Sequence, residues 1–116
     1  MPTRSPPSAR TAEAIPEYEA ALKFTPGNPA VSTAAHHHLA DALAMSGRPQ
    51  DAVPHYEAAL RARPDNAEAH HNLGSALFEL GRLAEAAQHY EATLRLAPDF
   101  PNARDDLDRV RAGLRR

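Results

Sequence analysis

The feature that most limits what this chain can fold into is a repeat of itself. Residues 67–100 read AEAHHNLGSALFELGRLAEAAQHYEATLRLAPDF, and residues 33–66 read TAAHHHLADALAMSGRPQDAVPHYEAALRARPDN. Set over each other at a shift of 34, His36 falls on His70, Leu39 on Leu73, Leu43 on Leu77 and Gly47 on Gly81. Ala52 falls on Ala86, Tyr56 on Tyr90, Leu60 on Leu94 and Pro64 on Pro98. A period in this range marks a repeat architecture, in which one unit alone does not hide its apolar face and stacked neighbours do. Leucines four apart, Leu39 with Leu43, set an apolar stripe at helical spacing. The pattern predicts helices over 34–45, 49–63, 67–80 and 83–96. Gly47 and Gly81 fall in the turns, Pro49 sits at a helix start and Asp65-Asn66 offers a cap ahead of Ala67. One more helix, 102 to about 114, carries Leu107, Val110 and Leu114 on one face against a charged back, as a terminal cap requires.

These residues resemble the tetratricopeptide repeat, a helix–turn–helix unit. The positions that carry the resemblance are His70, Leu73-Gly74, Gly81, Ala86, Tyr90, Thr93 and Pro98. In the earlier copy they are His36, Leu39-Ala40, Gly47, Ala52, Tyr56, Ala59 and Pro64. Histidine stands where the family prefers Trp or Tyr, and Ala40 replaces the Gly; both fit the space. The resemblance implies an all-α, right-handed solenoid of about six helices and a role as a protein-binding scaffold.

Residues 1–10, with Pro2, Pro6 and Pro7, are expected to be a disordered arm. Residues 11–25 resemble the second helix of a repeat, since Ala14 to Leu22 copies Ala52 to Leu60 at a shift of 38. The organisation is therefore a half repeat (11–25), two repeats (33–66 and 67–100) and a capping helix (101–116). The four extra residues after Pro26 amount to about one helical turn. Either the next helix starts early, with Asn28 as cap and Pro29 first, or the loop is longer. Because the first half repeat lacks its partner helix, part of the face of Ile15, Tyr18 and Leu22 is expected to be open, with three outcomes: the proline arm folds over it, a second chain covers it in a homodimer, or the chain is cut from a longer parent protein. Pro16 and Pro54 are expected in or near a first helical turn, where a missing N–H costs little.

Composition narrows the function classes. The 116 residues make one small domain, 42% apolar and only 5% aromatic, so the core is built from Ala and Leu. A net charge of −2 argues against nucleic acid and membrane surfaces as partners. There is no cysteine, no secretory signal near Met1 and no run of the ~20 apolar residues that span a bilayer. The expected compartment is the cytoplasm, and twelve Arg to one Lys points to a GC-rich bacterial source.

Seven histidines raise a metal-binding alternative. Six are repeat duplicates: His36 with His70, His37 with His71, His55 with His89. Consecutive helical residues point about 100° apart, so His36, His37 and His38 do not converge on one ion. The best local chelate is His37 with Asp41, at i and i+4, with His71 as a third ligand, but no metal-binding signature is present. His36 and His70 read as half-buried packing rings, His55 and His89 as solvated, and His37 and His71 as neighbours that repel when protonated. No cofactor motif, phosphate loop or nucleophile elbow appears, so the chain reads as no enzyme. Glu57–Arg61 and Glu91–Arg95 read as surface i,i+4 pairs.

The resemblance places a partner-binding surface on the first helices of the units. One contributes His37, Asp41, Ala44 and Met45; the next His71, Asn72, Ser75, Phe78 and Glu79; the terminal helix Asp105 and Asp106. The co-chaperone members of the family hold a peptide's terminal carboxylate with Lys, Arg and Asn. Here only Asn72 matches, with His37, Asp41, Asn102 and Asp106 at the other places. In a second family mode, one Asn per repeat grips peptide backbone; Asn72 is one such rung, flanked by His38 and Asp106. The carboxylates Asp41, Glu68, Glu79, Asp105 and Asp106 favour a neutral or basic extended peptide, with Phe78 as an aromatic anchor. The reading is a non-catalytic scaffold for a peptide or partner protein, working alone or as an adaptor domain of a larger enzyme.

Overall fold

The computed structural model describes residues 15–20 and 29–115. Among them every regular element is an α-helix. Helix α1 is described over 15–20. It is followed by α2 (Pro29–Met45), α3 (Pro49–Ala62), α4 (Ala67–Glu79), α5 (Leu83–Leu96) and α6 (Ala103–Leu114). From α2 onward each helix packs on the next, and α2 also touches α4 as α4 touches α6. That is the neighbour pattern of helical hairpins stacked in a row, the all-α solenoid that the 34-residue period predicts. No helix among the described residues is long and apolar enough to cross a membrane.

The turns show why two glycines recur at a shift of 34. Gly47 and Gly81 have φ of 79° and 78°. Arg48 N donates to Leu43 O and Arg82 N to Leu77 O, both at 2.9 Å, closing each helix end with a left-handed residue. A Cβ at either glycine would meet nothing within 4 Å, so the demand is for conformation rather than space. Gly74 is the opposite case. A Cβ there would lie 2.9 Å from Tyr90 Cε1 and 3.3 Å from Ala86 O, so this glycine permits the close approach of α4 and α5.

The core is small residues around a few large ones. Tyr56, Leu39, Leu73, Leu77, Val110 and Thr93 are fully buried, with Ala40, Ala52, Ala69, Ala86 and Ala103 at 0% exposure between helices. Thr93 satisfies its hydroxyl on His89 O at 2.9 Å, with Ala67 O at 3.3 Å. Asn66 caps α4 by accepting from Ala69 N at 3.1 Å. Helix α2 begins at Pro29, four residues before the place equivalent to the start of α4, so the extra residues extend a helix.

Several expectations are corrected. Ile15 is not open: it is 8% exposed and belongs to the core, beside a cleft it shares with Leu39, Leu43, Pro54 and His55. Tyr18 is half-buried and lies ring over ring on His38, centroids 5.6 Å apart. The neighbours of Ile15 and Tyr18 come from α2 and α3, and they cover this part of the face. Leu22, residues 1–10 and Asn28 lie outside the described residues. Pro54 stands in the second turn of α3 because that helix starts at Pro49; it is exposed, where water can serve the carbonyl its ring leaves unpaired. Leu114 is 49% exposed, and Ala103 joins Leu107 and Val110 on the buried face instead. Neither Glu57–Arg61 nor Glu91–Arg95 is among the ion pairs of the described residues. The pairs formed are Arg48–Asp51 at 2.9 Å and Arg82–Glu85 at 2.6 Å, at equivalent helix starts, while Glu91 lies 4.0 Å from Arg111 of α6.

Candidate functional site

The first helices of the units bring residues at three- and four-residue spacing to one face. On α2 the row is His37, Asp41 and Met45; on α4 it is His71, Ser75 and Glu79, with Asn72 and Phe78 alongside. Asp106 of α6 closes the row.

Asp41 is the centre of this face. Its Oδ1 accepts from the Tyr56 hydroxyl and, at 3.1 Å, from Asn72 Nδ2; its Oδ2 lies 3.4 Å from His37 Nε2. Burial pushes the carboxyl up, but the hydrogen bonds from His37, Tyr56 and Asn72 outweigh it and hold Asp41 below the ordinary carboxylate range. The same contacts act on its partners. Burial and the bond to Asp41 push the Tyr56 hydroxyl far up. The Asp41 hydrogen bond raises His37 against the pull of burial.

Positions 38, 72 and 106 each reach back to the unit before. His38 lies on Tyr18 of α1, Asn72 donates to Asp41 of α2, and Asp106 takes His71 Nε2 of α4 at 2.8 Å. These are the places of the expected backbone-gripping rungs. Here they are links between units, and Asn72 is committed to its neighbour. His71 packs on Tyr90 and Phe100, with centroids 5.5 and 5.0 Å away, and points to Asp106. The repulsion expected between His37 and His71 is therefore replaced by a carboxylate partner for each.

His55 and His89, expected to be solvated, are half-buried and paired. His36 Nδ1 lies 3.0 Å from His55 Nδ1, and His70 Nδ1 lies 3.1 Å from His89 Nδ1. His70 Nε2 donates to Pro64 O at 2.9 Å, which leaves its Nδ1 to accept from His89 when both rings are neutral. Burial lowers His36, His55 and His89 from their ordinary value; His55 further lowers His36, and His70 further lowers His89. The signal was in the chain: a His–His spacing of 19 occurs once in each copy. The donor atoms of His37, Asp41 and Glu68 lie within 4.8 Å of one another. Glu68 thus stands where His71 was expected, and the Asp41 carboxylate is already engaged by Tyr56 and Asn72.

Two clefts open on this face. One, of about 390 Å³, is lined by Asp41, Ala44, Met45, Tyr56, Asn72, Ser75, Ala76 and Glu79. The other, of about 240 Å³, is lined by Ser75, Phe78, Glu79, Tyr90, Asp106 and Arg109. Ser75 and Glu79 belong to both. Met45 is 61% and Phe78 39% exposed beside them. A larger cleft, about 440 Å³, is lined by Thr33, Ala34, His37, His38, Ala62, Arg63 and Asn66.

A family model described as "Tetratricopeptide repeat" matches residues 37–101. No curated protein matches by sequence. Among solved structures, the first repeat domain of Spaghetti (RPAP3), bound to the HSP90 peptide SRMEEVD, is 26% identical with a TM-score of 0.81, over 93% of this chain and 82% of that one. The second repeat domain of human RPAP3, in complex with the HSP70 peptide SGPTIEEVD, is 22% identical with a TM-score of 0.79, over 89% and 82%. The C-terminal domain of a Plasmodium falciparum FK506-binding protein is 20% identical with a TM-score of 0.83, over 92% and 79%.

Proposed function

Since the chain belongs to the tetratricopeptide repeat family, we propose that it is a non-catalytic scaffold holding an extended segment of a partner protein on the face shared by α2, α4 and α6. The observation that carries this reading is the pair of adjoining clefts flanked by exposed Met45 and Phe78. Exposed apolar side chains beside concave pockets with a few polar groups are what an extended peptide uses: a side chain enters a pocket while the anchors exclude water. Peptide-bound RPAP3 domains of the same fold support it. The same face serves the chain alone or as an adaptor within a larger enzyme.

Selection of peptides from a displayed random library against the purified chain tests the reading. Phe78→Ala is expected to weaken selected peptides roughly 10- to 100-fold, as loss of an interface anchor does. Met45→Ala should weaken them less. Peptides indifferent to both substitutions would place the working surface elsewhere.

A further inference from the structure

The groove's carboxylates are not equivalent, and that difference identifies the ligand. Asp41 is satisfied by Tyr56, Asn72 and His37. Asp106 is held by His71 at 2.8 Å and lies 3.9 Å from Arg109. Glu79 is exposed and, among the described residues, has no hydrogen bond or ion pair, although it lines both clefts. It is also the last residue of α4, whose final turn carries no basic residue. A carboxylate there faces the negative end of the helix dipole, an unfavourable place for it that an incoming cation relieves. A local choice that the fold itself does not reward is the kind that function retains.

Resting on the peptide-groove reading above, we infer that the groove recognises a cationic side chain, Lys or Arg, and that Glu79 receives it. The 390 Å³ cleft has two carboxylates, Asp41 and Glu79, and no cation in its lining, Arg109 lining only the 240 Å³ one, so its field favours a positive group. The Ser75 hydroxyl is at hand for further N–H donors of the ligand. Phe78 and Met45, exposed at the rim, cover the aliphatic stem, and the Phe78 ring suits a guanidinium lying over it. An acidic segment is disfavoured: the Glu-Glu-Val-Asp end of the peptide held by the RPAP3 domain would bring its carboxylates against Glu79 and Asp41.

The test uses a peptide selected from the displayed library, blocked at both ends, in three forms that differ at one position: Arg, Gln or Glu. Anisotropy titrations against the wild-type chain should rank Arg over Gln by about tenfold, the low end for a charge-assisted hydrogen bond, and Glu last. The Arg preference should shrink with added salt and vanish in Glu79→Gln, and Glu79→Lys should favour the Glu form. Glu79 is exposed, and a thermal midpoint for Glu79→Gln no lower than that of the wild type shows the fold is kept. Peptides weakened by Phe78→Ala but indifferent to charge or to Glu79→Gln would overturn the inference and leave the groove reading intact. Peptides insensitive to Phe78→Ala and Met45→Ala would overturn both.

Discussion

The hairpins α2–α3 and α4–α5 are copies, and they differ in an ordered way. What each closes within itself recurs. The paired histidines meet at 3.0 and 3.1 Å, and the turn glycines share a φ near 79°. The buried tyrosines, Tyr56 and Tyr90, reach the same place on their first helix, Asp41 and Ser75. What each hairpin offers to its neighbours diverges. His38 meets a ring of α1, Asn72 a carboxylate of α2, and His71 a carboxylate of α6. A repeat is thus constrained inside by its own packing and free to change wherever the next unit differs. Thr93 against Ala59 is an exception, a polar substitution inside the hairpin whose hydroxyl finds carbonyls of α4 and α5.

The comparison breaks most visibly at the tyrosines. Tyr56→Phe takes from a part-buried carboxylate one of its three hydrogen-bonding partners, a bond to a charged group that is worth about 2 kcal/mol, whereas Tyr90→Phe deprives only a neutral hydroxyl and costs about 1 kcal/mol. Chemical denaturation of the two variants measures the difference. Equal losses would mean that Asp41 draws its stability from elsewhere, and the two hairpins would be alike after all.

Position 40/74 sharpens the contrast. Ala40 is wholly buried, and its equivalent is Gly74, where a methyl would press on Tyr90 and the Ala86 carbonyl. Overpacking costs roughly 1–3 kcal/mol and alanine returns about 1 kcal/mol of helix propensity, so Gly74→Ala should destabilise by about 1 kcal/mol. Ala40→Gly should lose about 1 kcal/mol for the opposite reason, lost propensity. A crystal structure of Gly74→Ala with Tyr90 unmoved would show that α4 and α5 have slack that the wild-type geometry does not reveal.

The same contrast explains what could be read before the structure. Helices, turn glycines and the buried leucines follow from periodicity, because intra-unit packing repeats with the chain. The early start of α2 is visible as four surplus residues ahead of Ala34, which the sequence alone leaves as helix or loop and which extend the helix. The closure of Ile15 depends on contacts among α1, α2 and α3, which no local pattern encodes. His71–Asp106 joins residues 35 apart in a place where the repeat itself is broken. Glu79 reads as groove lining from the sequence, but its lack of a hydrogen bond or ion pair among the described residues is a fact of three dimensions. The ion pairs at the starts of α3 and α5 have i,i+3 spacing, whereas the sequence expectation rests on i,i+4 pairs.

The smallest effect is the pH response, and its sign separates the two kinds of histidine. His36, His55 and His89 are lowered from 6.5, chiefly by burial, so the fold prefers them neutral. Their contribution is whole above pH 6.5 and is lost as pH falls below it, because the unfolded rings take up protons first. Glu19 and Asp51 moderate this at His55, Glu85 does so at His89, and Arg61 adds to it at His36. His37 runs the other way: raised through its hydrogen bond to Asp41, it adds stability below pH 6.5 that disappears as pH rises through its folded value. Between about pH 7 and 5.5 three losses oppose one gain, and partial exposure screens them all, so the net fall is on the order of 1 kcal/mol or less. Denaturation midpoints should therefore slope gently downward on acidification. In His55→Gln/His89→Gln, where no second imidazole faces His36 or His70, the slope should flatten. In His37→Gln it should steepen. An undiminished slope in the double variant would move the acid sensitivity out of the paired histidines, and with it the claim that the two hairpins share one proton-sensitive interior.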